Sequence, residues 1–317
     1  MNDPETPSPD VSVVIPALDE ENTIEPLAEQ IGSVLEALGK DYEIVFVDDG
    51  STDGTFERVR VLHERDGRIK GIRFRGNFGK SEALTAGFDA SRGKVIVTMD
   101  ADLQDDPEEI PRFLETIQQG YDLVSGWKKQ RQDPLGKRIP SLIFNRITSW
   151  VSGIKLHDFN CGFKAYRREL VEELDIYGEL HRYIPALAGQ RRFRIAEIPV
   201  RHHPRRHGRS KYGWERFTRG LLDLITILFL TNYLRRPAHL FGTTGLALGG
   251  TGFLICMYMT VLWFLGQRPI GNRPLLLLGI LLLITGVQFV SIGLLGELIN
   301  RFNSSGKPEY SVIEELR

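Results

Sequence analysis

The chain has 317 residues, 26% of them charged, and a net charge of only −1; that balance gives no electrostatic footprint for nucleic acid, and none is expected as a partner. Its two cysteines, Cys161 and Cys256, lie far apart in unlike sequence, which excludes a disulfide-stapled scaffold and fits a reducing compartment. A mean hydropathy of −0.17 averages over a soluble-looking region up to about residue 210 and two long apolar runs after about residue 235.

Residues 1–10 (MNDPETPSPD) are acidic and Pro-rich, without a basic n-region or an apolar h-region. A disordered N-terminus with no cleavable signal peptide is expected. Val11–Pro16 reads as a short apolar strand. Asn22-Thr23 then starts a helix whose apolar positions, Ile24, Leu27, Ile31, Val34, Leu35 and Leu38, share one face before Gly39 ends it. Tyr42–Val47 is a second strand running into Asp48-Asp49, and Gly50-Ser51-Thr52-Asp53 turns the chain into a helix with a ready N-cap. Ile69–Phe74 is a third strand, and Asn77-Phe78-Gly79-Lys80 opens a helix over Ser81–Ser91. Lys94–Met99 is a fourth strand. Pro107 begins a further helix, and Leu123–Gly126 is a fifth strand. This alternation predicts an α/β fold, a Rossmann-like and mostly parallel sheet covered on both faces.

Ligands of such sheets sit outside the carboxyl ends of the strands. Here three strand ends carry acids: Glu20 after the first, Asp48 and Asp49 after the second, Asp100 and Asp102 after the fourth. Clustered carboxylates repel one another unless a cation or hydrogen-bond donors compensate. Hard oxygen ligands at this rim suit Mg²⁺ or Mn²⁺, which in turn suit a diphosphate.

Basic segments follow. Lys128, Lys129, Arg131, Lys137 and Arg138 precede a stretch, 139–154, whose apolar residues fall on one helical face. That amphipathic helix packs on the core or lies in a membrane surface, with Trp150 near headgroup level. Arg201–Arg219 holds seven Lys/Arg against the single acid Glu215; beside an acidic rim, such a cluster points to phosphate groups between them. Leu221–Leu230 is too short to span a bilayer and contains Asp223, so 213–236 reads as an interfacial helix. Leu240–Leu265 is 26 residues without a charge, and Pro274–Gly296 adds 23 more around a short loop. A two-helix transmembrane hairpin over 237–299 is expected, both ends on the cytoplasmic side by the basic surface segments, with a polar tail over 300–317.

Four segments now align with a known series. Val14–Glu20, Val47–Ser51, Asn77–Lys80 and Asp100–Asp105 resemble, in order, the motifs of family-two nucleotide-sugar glycosyltransferases. Asp158–Lys164 (DxxCGFK) and Arg205–Tyr212 (RxxGxSKY) resemble later motifs of the polyprenyl-phosphate subgroup, the dolichol-phosphate mannose/glucose synthase type. Leu18-Asp19 departs from the Tyr-Asn frequent in the family. The resemblance implies a GT-A catalytic domain over 11–212, a nucleotide-diphosphate sugar donor (UDP-glucose or GDP-mannose), a divalent metal and a polyprenyl phosphate acceptor such as undecaprenyl or dolichyl phosphate, in an inner or plasma membrane. Pro16, Leu18, Glu20 and Asp48 or Asp49 would hold the nucleoside, with Asn77 and Lys80 also at the donor and Asp100 at the ribose or diphosphate. Asp102 and Gln104 would ligate Mg²⁺ or Mn²⁺. Arg205, Ser210 and Lys211 would meet the diphosphate or acceptor phosphate.

The acceptor phosphate is already anionic, so no strong base is obligatory, but two anions must approach each other. Lys128, Arg131, Arg138, Arg205 and Lys211 are the cations available to suppress that repulsion. Direct displacement would invert the anomeric centre, with Asp102, Arg205 and Lys211 as catalytic candidates. Asp158 orients the acceptor or caps a turn; the sequence leaves both open. Paired spans offer a surface for self-association. A processive polysaccharide synthase is the rival enzyme, but it calls for more spans and a Q-x-x-R-W motif, and Gln190–Arg194 lacks the tryptophan. An inactive, membrane-anchored nucleotide-sugar-binding protein is the rival of another class.

Overall fold

The computed structural model describes residues 8–129, 145–150, 152–174, 176, 180–203, 237–267, 269, 271 and 273–303. It divides into two compact units, Met1–Leu224 and Ile225–Arg317.

In the first unit, β1 (Val11–Ala17), β2 (Tyr42–Asp48), β3 (Ile69–Arg73), β4 (Val95–Thr98), β5 (Leu123–Trp127), β6 (Lys164–Arg167) and β7 (Ile195–Pro199) form one seven-stranded sheet in the order β3-β2-β1-β4-β6-β5-β7. β1 pairs in parallel with β2 and β4, β2 with β3, and β5 with β7. β6 alone runs antiparallel, between β4 and β5. The predicted α/β sheet is therefore present. β6 and β7 were not foreseen: each is short, and both carry charges or a proline where an apolar run would betray a buried strand.

The helices α1 (Ile24–Ala37), α2 (Thr55–Arg65), α3 (Lys80–Ala90) and α4 (Ile110–Gln118) connect the early strands, α4 entered through a 3₁₀ turn at Pro107–Glu109. α5 (Arg168–Glu173) follows β6, and α6 (Ile184–Gln190) follows a 3₁₀ turn at Leu180–Tyr183. α1 buries Ile24, Leu27, Ile31 and Leu35 completely, each such side chain worth roughly 1.5–3 kcal/mol of transfer free energy. Leu38, read as part of that face, is instead 40% exposed because the helix ends at Ala37. One core cluster joins Val13, Ile15, Ile44, Phe46 and Val97 to α1 and to Phe113 of α4. On the other face Gly87 of α3 lies so close to Val14 that a Cβ there would sit 2.3 Å from its Cγ1.

Of the amphipathic stretch over 139–154, residues 145–150 and 152–154 are described, and 145–150 and 152 are helical. Asn145 and Thr148 turn inward, while Trp150 is 81% exposed. Asn145 is the reason for that orientation: Nδ2 donates to the His157 carbonyl at 2.8 Å, and Oδ1 accepts the Phe159 amide at 3.4 Å.

The second unit is a hairpin of α7 (Pro237–Phe264) and α8 (Pro274–Asn303). Both are long and apolar enough to cross a membrane, and only 17% and 11% of their most apolar windows are buried, unlike the core helix of a soluble protein. Glycines let the two backbones touch: a Cβ on Gly286 would lie 2.5 Å from the Gly249 nitrogen. The predicted interfacial helix over 213–236, the N-terminus up to residue 7 and the tail from 304 lie outside the described residues.

Candidate active site

The carboxyl ends of β1, β2 and β4 lie side by side in the sheet, so the loops after them form one rim. The first two loops are tied together by side chains. Asp19 sits at φ 54, a left-handed conformation that Asn and Asp tolerate better than most residues. Its Oδ1 accepts the Thr52 amide at 2.9 Å, and its own amide donates to Ser51 Oγ at 2.9 Å. The Glu20 amide donates to Thr55 Oγ1 at 2.8 Å, and its carboxylate accepts from Thr23 Oγ1 at 3.2 Å. Pro16 lies within β1, opposite Val47, and Leu18 just beyond it is half-buried.

Each acid at this rim meets a local counterpart. Asp48 is buried, accepts the Ser51 amide at 2.8 Å and faces Arg73 Nε at 3.4 Å. Asp49 is also buried and accepts the amides of Phe78 at 2.7 Å and Gly79 at 3.0 Å. It thereby fixes the loop that carries the exposed Asn77 and leads into α3. Gly50, at φ 79, allows the same loop to approach: a Cβ there would lie 2.4 Å from Gly76. Lys80, at the start of α3, is ion-paired with Asp100. Gly162 packs against that pair, and a Cβ on it would meet the Asp100 carboxylate at 2.7 Å.

The loop after β4 holds the predicted metal seat. Asp102 Oδ1 accepts the Gln104 amide at 3.2 Å. Between them Leu103 stands at φ 58, a conformation that costs an ordinary side chain about 1–2 kcal/mol. Gln104 Nε2 donates to the His203 carbonyl at 3.2 Å. That bond fixes the amide's orientation and leaves Oε1 as the oxygen facing away from the carbonyl. Among the described residues no group of three or more His, Cys, Asp or Glu could hold a metal. One carboxylate and one amide oxygen fit a small hard cation that completes its coordination with phosphate oxygens and water.

A neighbouring acid, Asp105, was not among the predicted site residues. It is 3% exposed, 2.9 Å from Lys128 Nζ and 3.7 Å from His202 Nδ1. Burial works to raise its pKa, but Lys128 and His202 overcome that and hold it well below the ordinary carboxylate range. Burial likewise works to lower Lys128, and Asp105 reverses it. Lys128, read as a phosphate contact, is thus engaged with Asp105 and only 12% exposed. A backbone bridge between Asp105 and His202, and the His203 amide donating to Gln104 O at 2.8 Å, staple the loop after β4 to residues 201–203. Nothing in the local sequence announces this clamp, whose partners lie about a hundred residues away. A cleft of about 500 Å³ beside it is lined by Glu109, Arg112, Lys129 and Arg201, and Arg112 and Arg201 are paired with acids of the same cleft.

Asp158 is buried and accepts the Asn160 amide at 3.2 Å, a turn cap within the loop before β6. Glu197 of β7 holds that loop through the amides of His157 and Asp158, each at 2.9 Å. Cys161 is buried, and burial pushes its thiol up to about 12, which removes it as a nucleophile. The remaining predicted residues, Arg131, Arg138, Arg205, Ser210 and Lys211, lie outside the described residues.

Comparison with known proteins gives this arrangement a context. Residues 12–175 match the family described as glycosyl transferase family 2. Dodecaprenyl-phosphate galacturonate synthase of Rhizobium johnstonii is 39% identical over 98% of this chain and 94% of its own length. Undecaprenyl-phosphate 4-deoxy-4-formamido-L-arabinose transferase of Pseudomonas aeruginosa is 37% identical over 97% of this chain and 90% of its own. Among solved structures, glucosyl-3-phosphoglycerate synthase of Mycobacterium tuberculosis, determined with Mn²⁺, UDP-glucose and phosphoglyceric acid, superposes with a TM-score of 0.54 at 21% identity. That likeness covers 70% of this chain and 79% of the other, and it identifies the sheet and its helices as a GT-A fold.

Proposed function

The chain belongs to glycosyl transferase family 2, and we propose that it is a membrane-anchored enzyme that moves a hexose from a nucleotide-diphosphate sugar to a polyprenyl phosphate. The observation that carries this reading is the likeness to two polyprenyl-phosphate sugar transferases over 97–98% of the chain, apolar hairpin included. An acceptor whose hydrocarbon cannot leave the bilayer cheaply requires an anchored enzyme, and α7 and α8 have the length and composition to provide the anchor. The catalytic unit is proposed to face the cytoplasm.

UDP-glucose and GDP-mannose, the donors expected from the sequence, join a panel with the acidic hexose and the formamido sugar in the relatives' names. Mg²⁺ or Mn²⁺ at Asp102 and Gln104 would neutralise charge growing on the leaving diphosphate. The protein's own part is positional. Asp48 and Asp49 order the loops that would bracket the nucleoside. The Lys80–Asp100 pair presents a fixed dipole at the place where donor hydroxyls or phosphate would lie. The acceptor phosphate oxygen attacks the anomeric carbon as the nucleoside diphosphate departs. One displacement inverts that centre, and the acceptor needs no general base because it is already ionised.

The test uses the purified full chain with labelled donors, either metal and polyprenyl phosphate. A lipid-linked sugar that depends on Asp102 is expected. Absence of product with every donor, together with an Asp102→Asn variant indistinguishable from wild type, would overturn the reading.

A further inference from the structure

Gln288 lies near the middle of the apolar run Pro274–Ile299 of α8, and its side chain is exposed. The hydroxyls of Thr243, Thr251, Thr260 and Ser291 return to carbonyls of their own helices. The Gln288 carboxamide does not, and among the described residues it has no hydrogen-bond partner. It carries two N–H donors and an acceptor oxygen. Midway through a bilayer there is no water to satisfy them, and an amide left bare in hydrocarbon is strongly disfavoured.

The other helix of the hairpin cannot reach it. α8 packs on α7 through Gly279, Gly286 and Gly293, all buried and spaced one heptad apart. A Cβ on these glycines would lie 2.8 Å from Ile255, 2.5 Å from Gly249 and 3.1 Å from Phe241. At about 3.6 residues per turn, Gln288 falls on the opposite side of α8. That outer side has a repeat of its own. Leu281, Ile284, Gln288, Ser291, Leu295 and Leu298 follow one another at steps of three and four, the spacing of a helix–helix seam. All six are exposed, the four leucines and isoleucines by 53–60%.

We propose that this seam is the contact between two copies of the chain, a parallel pair of α8 helices about a two-fold axis along the membrane normal, with the two Gln288 carboxamides bonded to each other. Self-complementarity selects a second copy as the occupant. Two copies inserted in the same orientation bring residue 288 to the same depth, where each carboxamide donates to the oxygen of the other. Lipid tails hold neither donor nor acceptor there. The heptad spacing keeps the flanking leucines and isoleucines in register along a left-handed crossing. A single polar residue in such a seam fixes both the register and the number of helices. The glycine face remains within each hairpin, so pairing leaves the α7–α8 packing intact.

The experiment reconstitutes the purified full chain, labelled at its N-terminus with a donor or an acceptor dye, in phosphatidylcholine vesicles and follows energy transfer as protein is diluted into lipid. Wild type is expected to associate. Gln288→Leu, which keeps the span apolar, should need about tenfold more protein per lipid for half-association, the scale of hydrogen bonds between membrane helices. A second measurement maps the face with single cysteines in a Cys256→Ala background. Leu281→Cys and Leu295→Cys should oxidise to disulfide-linked dimers. Val287→Cys, 62% exposed but off the seam, should not. Energy transfer no greater than chance proximity would overturn the proposal and leave this face to lipid or to another protein. So would association unchanged in Gln288→Leu, or cross-linking as efficient at Val287→Cys as on the seam. The cross-linking is done with Gln288 in place, so a misfolded Gln288→Leu chain leaves the test intact.

Discussion

Asp105 Oδ1 and Lys128 Nζ stand 2.9 Å apart, with their side chains 1% and 12% exposed. They join the loop after β4 to the residue after β5, so the loop of the proposed metal seat is braced across the sheet by a nearly dry ion pair. Removing one partner of such a pair leaves the other charge buried and typically costs about 3–5 kcal/mol, whereas replacing both can be nearly neutral. Lys128→Met is therefore expected to lower the thermal midpoint of the detergent-solubilised chain by several degrees. Asp105→Asn combined with Lys128→Met should recover at least half of that loss. Equal midpoints for the single and double variants would show that the charges are not coupled.

How much of this was legible beforehand varies by residue. The strands and their acidic ends could be read because apolar runs and D-x-D clusters are local patterns. Asp19 at φ 54 makes physical sense of an acid in place of asparagine, since both tolerate that backbone. Partners were invisible. Asp49 reads as a ligand residue, yet its carboxylate binds amides at Phe78 and Gly79, 29 and 30 residues downstream. Lys128 reads as a phosphate contact because nothing near it in sequence marks Asp105 as its counterion. The four-residue strand Lys164–Arg167 is too short and too charged to reveal itself, although it brings Lys164 to the rim.

Glu43 supplies a pH test away from the metal seat. Its side chain is 4% exposed and links three strands, pairing with Lys70 at 2.5 Å and accepting from Ser12 Oγ at 2.6 Å. Burial raises its pKa, but Lys70, Ser12 and the Arg92 amide together leave it below the ordinary glutamate value. A carboxyl depressed in the folded state contributes stability above its unfolded pKa of about 4.3 and loses it as pH falls through the folded value. Wild type should thus lose stability on acidification below about pH 5 more steeply than Glu43→Gln. Thermal midpoints from pH 7 down to pH 3 would show the two curves converging; parallel curves would refute the assignment.

Gly162→Ala probes the packing behind Asp100. The new Cβ would lie 2.7 Å from the carboxylate, so the Asp100–Lys80 pair must shift. Misplacing a substrate-positioning group by about 1 Å can cost on the order of 100-fold in rate. A loss of that order in kcat/KM is expected, with the thermal midpoint changed by only a few degrees. An active Gly162→Ala enzyme would mean that Asp100 does not position the donor.

Trp150 tests the role of the helical segment that carries it. With Asn145 and Thr148 turned inward, the indole is left 81% exposed, an arrangement suited to the headgroup region, where tryptophan is enriched. Trp150→Ala should leave turnover in detergent within about twofold of wild type and reduce turnover on acceptor embedded in vesicles several-fold, since binding to the interface scales with buried apolar area. Equal losses in both settings would indicate a packing role instead.

Gln104 offers the sharpest test of the metal seat, because charge and geometry predict opposite results. A carboxylate is ordinarily the better ligand for Mg²⁺, so charge alone favours Gln104→Glu. The amide nitrogen, however, donates to the His203 carbonyl at 3.2 Å, and in a glutamate that position becomes an acceptor facing an acceptor. The substituted side chain loses its anchor and is repelled from the place where it was held. Gln104→Glu is therefore expected to weaken metal activation, raising the Mn²⁺ or Mg²⁺ concentration for half-maximal turnover by about tenfold or more. Chelation by EDTA should abolish wild-type turnover, and added metal should restore it. If Gln104→Glu bound metal as tightly as wild type or tighter, the His203 anchor would be incidental, and the oxygen assigned to the metal would need to be sought elsewhere on the rim.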